Sequence, residues 1–253
     1  MKETIYKIFD LVTSGKGIKR NISGFSLRLP SRYYKYFKQD YELNNINFLN
    51  NQVEKGMTVI DIGAHIGLLS TIIAQKVGNS GKVYSFEPTP STFQLLQKTI
   101  AINNHKEIII PFNKAVSDKS GTTTFYITDK AAHNSNSLAN TKRENVKEYA
   151  IEVNLVSVDD FALENKLSKI DLIKIDAEGA ELSVLKGAEK TIDTFKPKIL
   201  LALHPPSIIS FGDSLPAIWD FAVSKGYKVY YKNEEITRDF FENEKGLFDV
   251  FLL

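Results

Sequence analysis

The sequence predicts an α/β protein built on a mostly parallel sheet, and three observations carry that reading. Short β-branched, apolar runs alternate with amphipathic stretches from residue 56 to residue 231. The runs at 57–62, 108–112 and 199–203 are largely apolar on consecutive positions, as strands covered on both faces are. The connections between them are long enough for helices, and helical crossovers join parallel strands.

The elements follow in order. Residues 57–62 form the first strand, after which Ile66, Leu69, Ile73 and Val77 recur at helical spacing up to Gly78. Residues 82–86 form the second strand, and 90–103 its helix, with a proline at the start where a missing N–H costs least. Residues 108–112 form the third. Two β-rich stretches, 122–128 and 151–156, then flank a polar connection over 129–149 that contains Asn134, Ser135, Asn136 and Ser137. A connection of that length inside a domain usually carries function. Regular order resumes with a helix at 157–165, strand four at 170–175, a helical stretch at 180–195 interrupted by Gly187, and strand five at 199–203. A helix at 215–225 and strands at 227–231 and 247–253 complete the pattern. Residues 232–246 between those last two strands show no helix pattern, so antiparallel neighbours are expected there.

Ahead of this pattern, Ile5, Ile8, Phe9 and Val12 fall on one side of a short helix. Residues 14–51 are mixed and include an aromatic cluster at Tyr33, Tyr34, Tyr36, Phe37 and Tyr41. Such a cluster either packs against the main domain or walls a substrate pocket. The chain therefore divides into an N-terminal helical and aromatic extension, residues 1–55, and a main domain, residues 56–253.

Composition narrows the function classes. The 32 basic and 30 acidic residues leave a formal net charge of +2, which gives no whole-chain attraction for nucleic acid or an anionic membrane. Cysteine is absent, which excludes disulfides, thiolate metal sites and a cysteine nucleophile. No apolar run approaches the ~18 residues of a membrane span, and no signal peptide is read, so a cytoplasmic protein is expected.

In an open α/β sheet, ligands bind beyond the carboxyl ends of the strands. Strand one ends in Asp61-Ile62-Gly63-Ala64-His65-Ile66-Gly67, where Gly63 permits a turn that a Cβ would obstruct and Gly67 lets the next helix sit close. Strand two ends in Phe86-Glu87-Pro88, and Glu87, twenty residues beyond Gly67, is placed to accept hydrogen bonds from both ribose hydroxyls of an adenosine cofactor. The G-x-G-x-x-G fingerprint of dinucleotide binding is missing, since His65 stands at its middle glycine. That weakens a nicotinamide-dependent oxidoreductase, and Asp61 suits the ammonium and sulfonium charges of S-adenosylmethionine better than a pyrophosphate. A cofactor-binding partner protein without catalysis is the rival of another class.

Strand four ends in Lys174-Ile175-Asp176-Ala177-Glu178-Gly179-Ala180-Glu181, three carboxylates within six residues. Clustering them is costly unless they bind cations or accept protons. Asp176 stands at the strand end and Glu178 in the turn, both candidate catalytic groups. Helix-dipole stabilisation suffices to explain Glu181. Strand five ends in His204, a candidate base near neutral pH, or with Asp176 a ligand of a divalent cation. His65 is placed to contact the cofactor; His105 and His133 read as solvated.

These residues resemble the FkbM-type S-adenosylmethionine-dependent methyltransferases. Five collinear blocks carry the resemblance: TVIDIGAHIGLLS, VYSFEPTPSTFQLLQKTIAIN, FNKAVSDKSGTTTFY, VSVDDFAL and DLIKIDAEGAELSVLKGA. It implies a Rossmann-like class I methyltransferase fold, a seven-stranded sheet in the order 3-2-1-4-5-7-6 with strand seven antiparallel. It also implies that Asp61, Gly63, His65 and Gly67 form the cofactor loop, that Glu87 holds the ribose, and that Ala115 and Val116 approach the adenine. Glu42, in the Tyr41-Glu42 pair, matches an acidic position that faces the methionine end of the cofactor. Similar sequences often carry asparagine at the position of His65. They also carry an acidic residue shortly before the strand-five histidine, where this chain has Leu201-Ala202-Leu203. The implied reaction is O-methylation of a sugar or other small-molecule hydroxyl.

Overall fold

The computed structural model describes residue 6 and residues 12–33, 35–128 and 148–253. Ile5, Ile8 and Phe9 of the expected first helix, Tyr34, and residues 129–147 of the polar connection, His133 among them, lie outside the described residues.

The mixed segment contains structure that the sequence reading missed. Strands β1 (Ile18–Ile22) and β2 (Phe25–Leu29) pair antiparallel, with Ile22 opposite Phe25. Ser23 and Gly24, both at positive φ, make the two-residue turn whose twist suits a hairpin. A 3-10 turn at Ser31–Tyr33 and helix α1 (Leu43–Gln52) follow.

The regular part runs β3 (Thr58–Ile62), α2 (Leu68–Val77), β4 (Lys82–Phe86), α3 (Pro90–Ile102) and β5 (Ile109–Phe112). Strands β6 (Ala115–Val116), β7 (Gly121–Thr128) and β8 (Glu148–Val156) form a separate small sheet in the order β6-β8-β7. Helix α4 (Val158–Glu164) starts on Ser157, whose side chain accepts from the Asp160 N–H. Next come β9 (Leu172–Ile175), α5 (Glu181–Lys186), α6 (Glu189–Phe195) and β10 (Lys198–Leu203), the two helices parting at Gly187. The chain continues through α7 (Pro205–Ser210), α8 (Leu215–Ser224), β11 (Val229–Tyr231), β12 (Glu234–Glu235), α9 (Arg238–Asn243) and β13 (Phe248–Leu252).

The main sheet has eight strands in the order β5-β4-β3-β9-β10-β13-β11-β12. Its first five are parallel neighbours, and β13 runs antiparallel to both β10 and β11. The seven strands read from the sequence are all present. The two-residue β12 adds an eighth at the edge, and the short helix α9 occupies the connection read as having none.

Consecutive strand residues feed two different cores. Ile60, Ile173 and Leu201 join one with α4 to α6 and α8, whereas Val59, Leu172 and Leu200 join the other with α1 to α3. That second core also takes Ile22, Leu27, Leu29, Tyr33 and Phe37, so the extension and the main domain share it. Asn103 at the end of α3 ties them further, accepting from the Arg28 N–H at 2.8 Å and donating to the Arg28 carbonyl at 2.8 Å.

Candidate cofactor and catalytic site

The carboxyl ends of β3, β4 and β9 border an open cleft, closed on one side by β6 and β7. Ile62, Phe86, Ala115, Val116 and Phe125 give it apolar walls, and Gly63, His65, Glu87, Asp176 and Glu178 give it polar ones. The Asn113 side chain donates to the carbonyls of Glu87 and Pro88 at 2.8 and 2.9 Å and fixes the turn after β4.

Glu87 is nearly buried, at 6% exposure, and its two oxygens accept from the N–H groups of His65 at 3.0 Å and Thr89 at 2.9 Å. Burial pushes its carboxyl up to about 7, against the opposing pull of those hydrogen bonds. The Thr89 side chain also bonds to it, so Glu87 is a desolvated carboxylate held at the cleft by donors from both flanking turns.

Gly63 has φ +72°, and a Cβ there would lie 2.0 Å from the Asp176 carbonyl oxygen, so β9 can end against the loop only if position 63 is glycine. His65 adopts the left-handed conformation at φ +49°, which asparagine and histidine enter more readily than most residues. Its partly buried ring lies edge-on to Tyr33, and desolvation lowers its imidazole to about 4. Gly67 is turned from the cleft: a Cβ would meet Leu96 at 2.5 Å, and its N–H is bonded to the Ala64 carbonyl.

Asp61 does not reach the cleft. It is fully buried, accepts from the Ser70 hydroxyl at 2.5 Å and lies 3.4 Å from the Nζ of Lys174. The cause is register, since Asp61 on β3 faces Lys174 on β9 in the parallel ladder. Lys174 also donates to the Ile62 and Gly63 carbonyls at 3.1 and 2.8 Å and lies 3.5 Å from Asp176. Burial alone would discharge this amine, but Asp61, Asp176 and Glu42 outweigh it and hold the charge firmly. The sequence reading aimed Asp61 at the cofactor; the structure makes it the counterion of Lys174 beneath the loop.

His204 follows β10. Its Nδ1 lies 3.0 Å from Glu181, and its Nε2 lies 3.6 Å from Asp176 and 3.8 Å from Glu178. Burial would lower the imidazole, yet the hydrogen bond to Glu181 and the charges of Asp176, Glu178 and Glu181 raise it to about 9. It carries its proton at neutral pH. A raised imidazole argues against His204 as the base near neutral pH, and Glu181, for which the helix dipole sufficed in the sequence, is the fully buried carboxylate bonded to it. Asp176, Glu178 and His204 offer ligand atoms within 4.8 Å of one another. A cation there would have to displace the His204 proton.

Glu42 precedes α1 at φ +47°. It sits near Lys174, Asp176 and Asp249 rather than in the cleft wall, and burial raises its carboxyl. Asp249 on β13, which the sequence reading did not single out, lies in the electrostatic reach of Asp176, His204 and Lys174. His105 is half-buried and away from the cleft. No helix among the described residues is long and apolar enough to cross a membrane.

A mostly parallel sheet with its last strand in the chain inserted antiparallel between β10 and β11, a glycine loop after β3 and a carboxylate at the end of β4 have the form of a class I methyltransferase. The chain belongs to the methyltransferase FkbM family, whose domain matches residues 61–229. Methyltransferase sdnD of Sordaria araneosa is 27% identical over 206 residues, 72% of this chain and 74% of that protein. The hexuronic acid methyltransferase AglP of Haloferax volcanii is 26% identical over 153 residues, 60% of this chain and 59% of AglP. Among solved structures, the FkbM methyltransferase of Methylobacillus flagellatus shares the fold, with a TM-score of 0.51 at 17% identity. That match covers 80% of this chain and 44% of the other.

Proposed function

We propose that this chain transfers the methyl group of S-adenosylmethionine to a hydroxyl of a sugar or other small molecule. The observation that supports it best is Glu87, a desolvated carboxylate facing a cleft that also exposes Asp176 two strands away. Glu87 would accept the ribose hydroxyls and Ala115, Val116 and Phe125 would cover the base, while Gly63 and His65 shape the floor. When bound, S-adenosylmethionine supplies a methyl on a cationic sulfur, and the C–O bond forms as the C–S bond breaks. The acceptor hydroxyl must lose its proton, and Asp176 is the carboxylate placed to take it. His204 and Lys174 hold Asp176 from two sides, at 3.6 and 3.5 Å, which fixes its direction. Much of the rate would come from positioning. The sugar assignment leans on the name of AglP and on the family's resemblance to saccharide-modifying enzymes.

Calorimetric titration with S-adenosylmethionine, its demethylated product and NAD tests the cofactor. Tighter binding of NAD would overturn the reading, and binding of S-adenosylmethionine without transfer to any hydroxyl would leave a partner protein in its place.

A further inference from the structure

The two nitrogens of the His204 ring sit in unequal surroundings. On the Nδ1 side, the fully buried Glu181 closes to 3.0 Å. On the Nε2 side, Asp176 and Glu178 stand off at 3.6 and 3.8 Å, beyond hydrogen-bond length, and their side chains are 34% and 19% exposed. A histidine that only braced the turn after β9 would be held tightly at both edges. This one is gripped at its buried edge and left loose at the edge toward solvent. Carboxylates accept and do not donate, so the ring presents an N–H to each side.

Asp176 and Glu178 both line the cofactor cleft, so the loose edge of His204 lies at its border, on the side of β10. The ring and the two carboxylates each offer an atom within 4.8 Å of the others, which leaves room for one oxygen about 2.8 Å from all three. A hydroxyl suits that place. Its O–H donates to a carboxylate, one lone pair accepts from the imidazole N–H, and the other stays free to react. A neutral amine has a single lone pair, and the same N–H would occupy it.

We propose that His204 is a catalytic residue whose Nε2–H donates to the acceptor oxygen between Asp176 and Glu178, and that this contact selects a hydroxyl over an amine. The inference rests on the methyltransferase reading and deepens it. In the transfer, the free lone pair of the oxygen forms the C–O bond, the electron pair of the C–S bond returns to sulfur, and the hydroxyl proton passes to Asp176. His204 keeps its own proton throughout. As the hydroxyl proton leaves, negative charge grows on the oxygen, beside an N–H whose ring Glu181 already fixes. Donors preorganised toward a developing oxyanion are worth about 10²–10³ in rate.

Two neutral substitutions separate the edges of the ring. In His204→Asn the amide nitrogen stands near the place of Nδ1 and keeps the bond to Glu181; in His204→Gln it stands near Nε2 and keeps the donor. Both lose the ring's charge, so their difference isolates the donor. The assay uses the full chain, labelled S-adenosylmethionine, and as acceptors glycerol and methyl hexosides of gluco, galacto and manno configuration. Under saturating cofactor, kcat should fall by about 10²–10³ in His204→Asn and stay about tenfold or more higher in His204→Gln, with cofactor affinity near the parent value in both. Equal turnover in the two folded variants, the reverse order, or parent activity abolished by a chelator and restored by Mg²⁺ would each overturn the proposal. Should a variant fail to fold, the parent decides. With ring-labelled histidine and the demethylated cofactor bound, adding the acceptor should shift the Nε2 proton resonance of His204, and an unmoved resonance would overturn the proposal. No transfer to any of these alcohols by a protein that binds the cofactor would remove the hydroxyl acceptor and the proposal with it, whereas absence of cofactor binding would bring down the methyltransferase reading beneath it.

Discussion

The Oε1 atom of Glu181 lies 3.0 Å from Nδ1 of His204 and 3.0 Å from the Gly179 N–H, so one fully buried carboxylate fixes both the imidazole and the turn leading to it. Asp176 and Glu178 face the other ring nitrogen. The ring is thus an imidazolium clamped between carboxylates. Proton NMR of the four histidines should show one with a midpoint near 9, well above the ordinary 6.5. Glu181→Gln removes a charge that favours the protonated ring, so that midpoint should fall. A His204 midpoint of 6.5 in the parent protein would refute the clamp.

Glu87→Ala should weaken S-adenosylmethionine binding. Hydrogen bonds to a charged group contribute roughly 1.5–3 kcal/mol, which is roughly 10- to 150-fold in affinity. Calorimetry reads it directly, and parent-like affinity would show that the ribose lies elsewhere.

Glu87 also sets a pH dependence. Its carboxyl is raised to about 7 in the free protein, and ribose donors favour the ionised form, so binding lowers that value. Affinity should therefore be full above pH 7 and fall as the pH drops through it, by at most about tenfold per unit. In Glu87→Gln the slope should vanish. Folding stability has the opposite sense: a carboxyl raised by burial favours the folded state when protonated, and that contribution is lost as the pH climbs from 4.5 to 7.

Asp176→Asn keeps the side chain's shape and removes its capacity to take a proton. Turnover under saturating cofactor should drop by about 10²–10⁴, with cofactor affinity and melting temperature near parent values. Normal turnover in a folded variant would remove Asp176 from the chemistry. Activity lost on chelation and restored by a divalent ion would make Asp176 and His204 metal ligands instead.

Lys174→Met should be tested for stability rather than rate. It leaves Asp61 without its counterion in a fully buried position, and breaking such a pair typically costs 3–5 kcal/mol. Chemical denaturation measures it. A loss under about 1 kcal/mol would mean that Asp61 does not depend on the pair.

Much of this architecture was legible because periodicity is a local property. Strands β3, β4, β5, β9 and β10 announced themselves by β-branched runs, and α3 by its proline and spacing. The β1–β2 hairpin was missed because Lys19-Arg20-Asn21 separates Ile18 from Ile22 and leaves no apolar alternation, so only Ser23-Gly24 marks it. Helix α1 was not legible, because six of its ten residues are asparagine or glutamine; packing of Ile46, Phe48 and Leu49 into the core overrides that weak propensity. At the site, Glu87, Gly63 and Asp176 follow from position at a strand end. Lys174, Glu181 and Asp249 do not, since their roles depend on which strand lies beside which and in what register. Asp61 was misdirected for the same reason.

The position of β13 has a consequence for biosynthesis. It lies between β10 and β11, yet both precede it in the chain. Until it arrives, β10 is a bare hydrogen-bonding edge rich in leucine and β11 has only the two-residue β12 for company. The emerging protein therefore carries an adhesive seam from the completion of β10 until β13 is made, one that another chain's strand could occupy. Insertion of residues 248–252 closes that seam and sets Asp249 opposite Ala202, two residues before His204, so completing the sheet also completes the charged surroundings of that histidine.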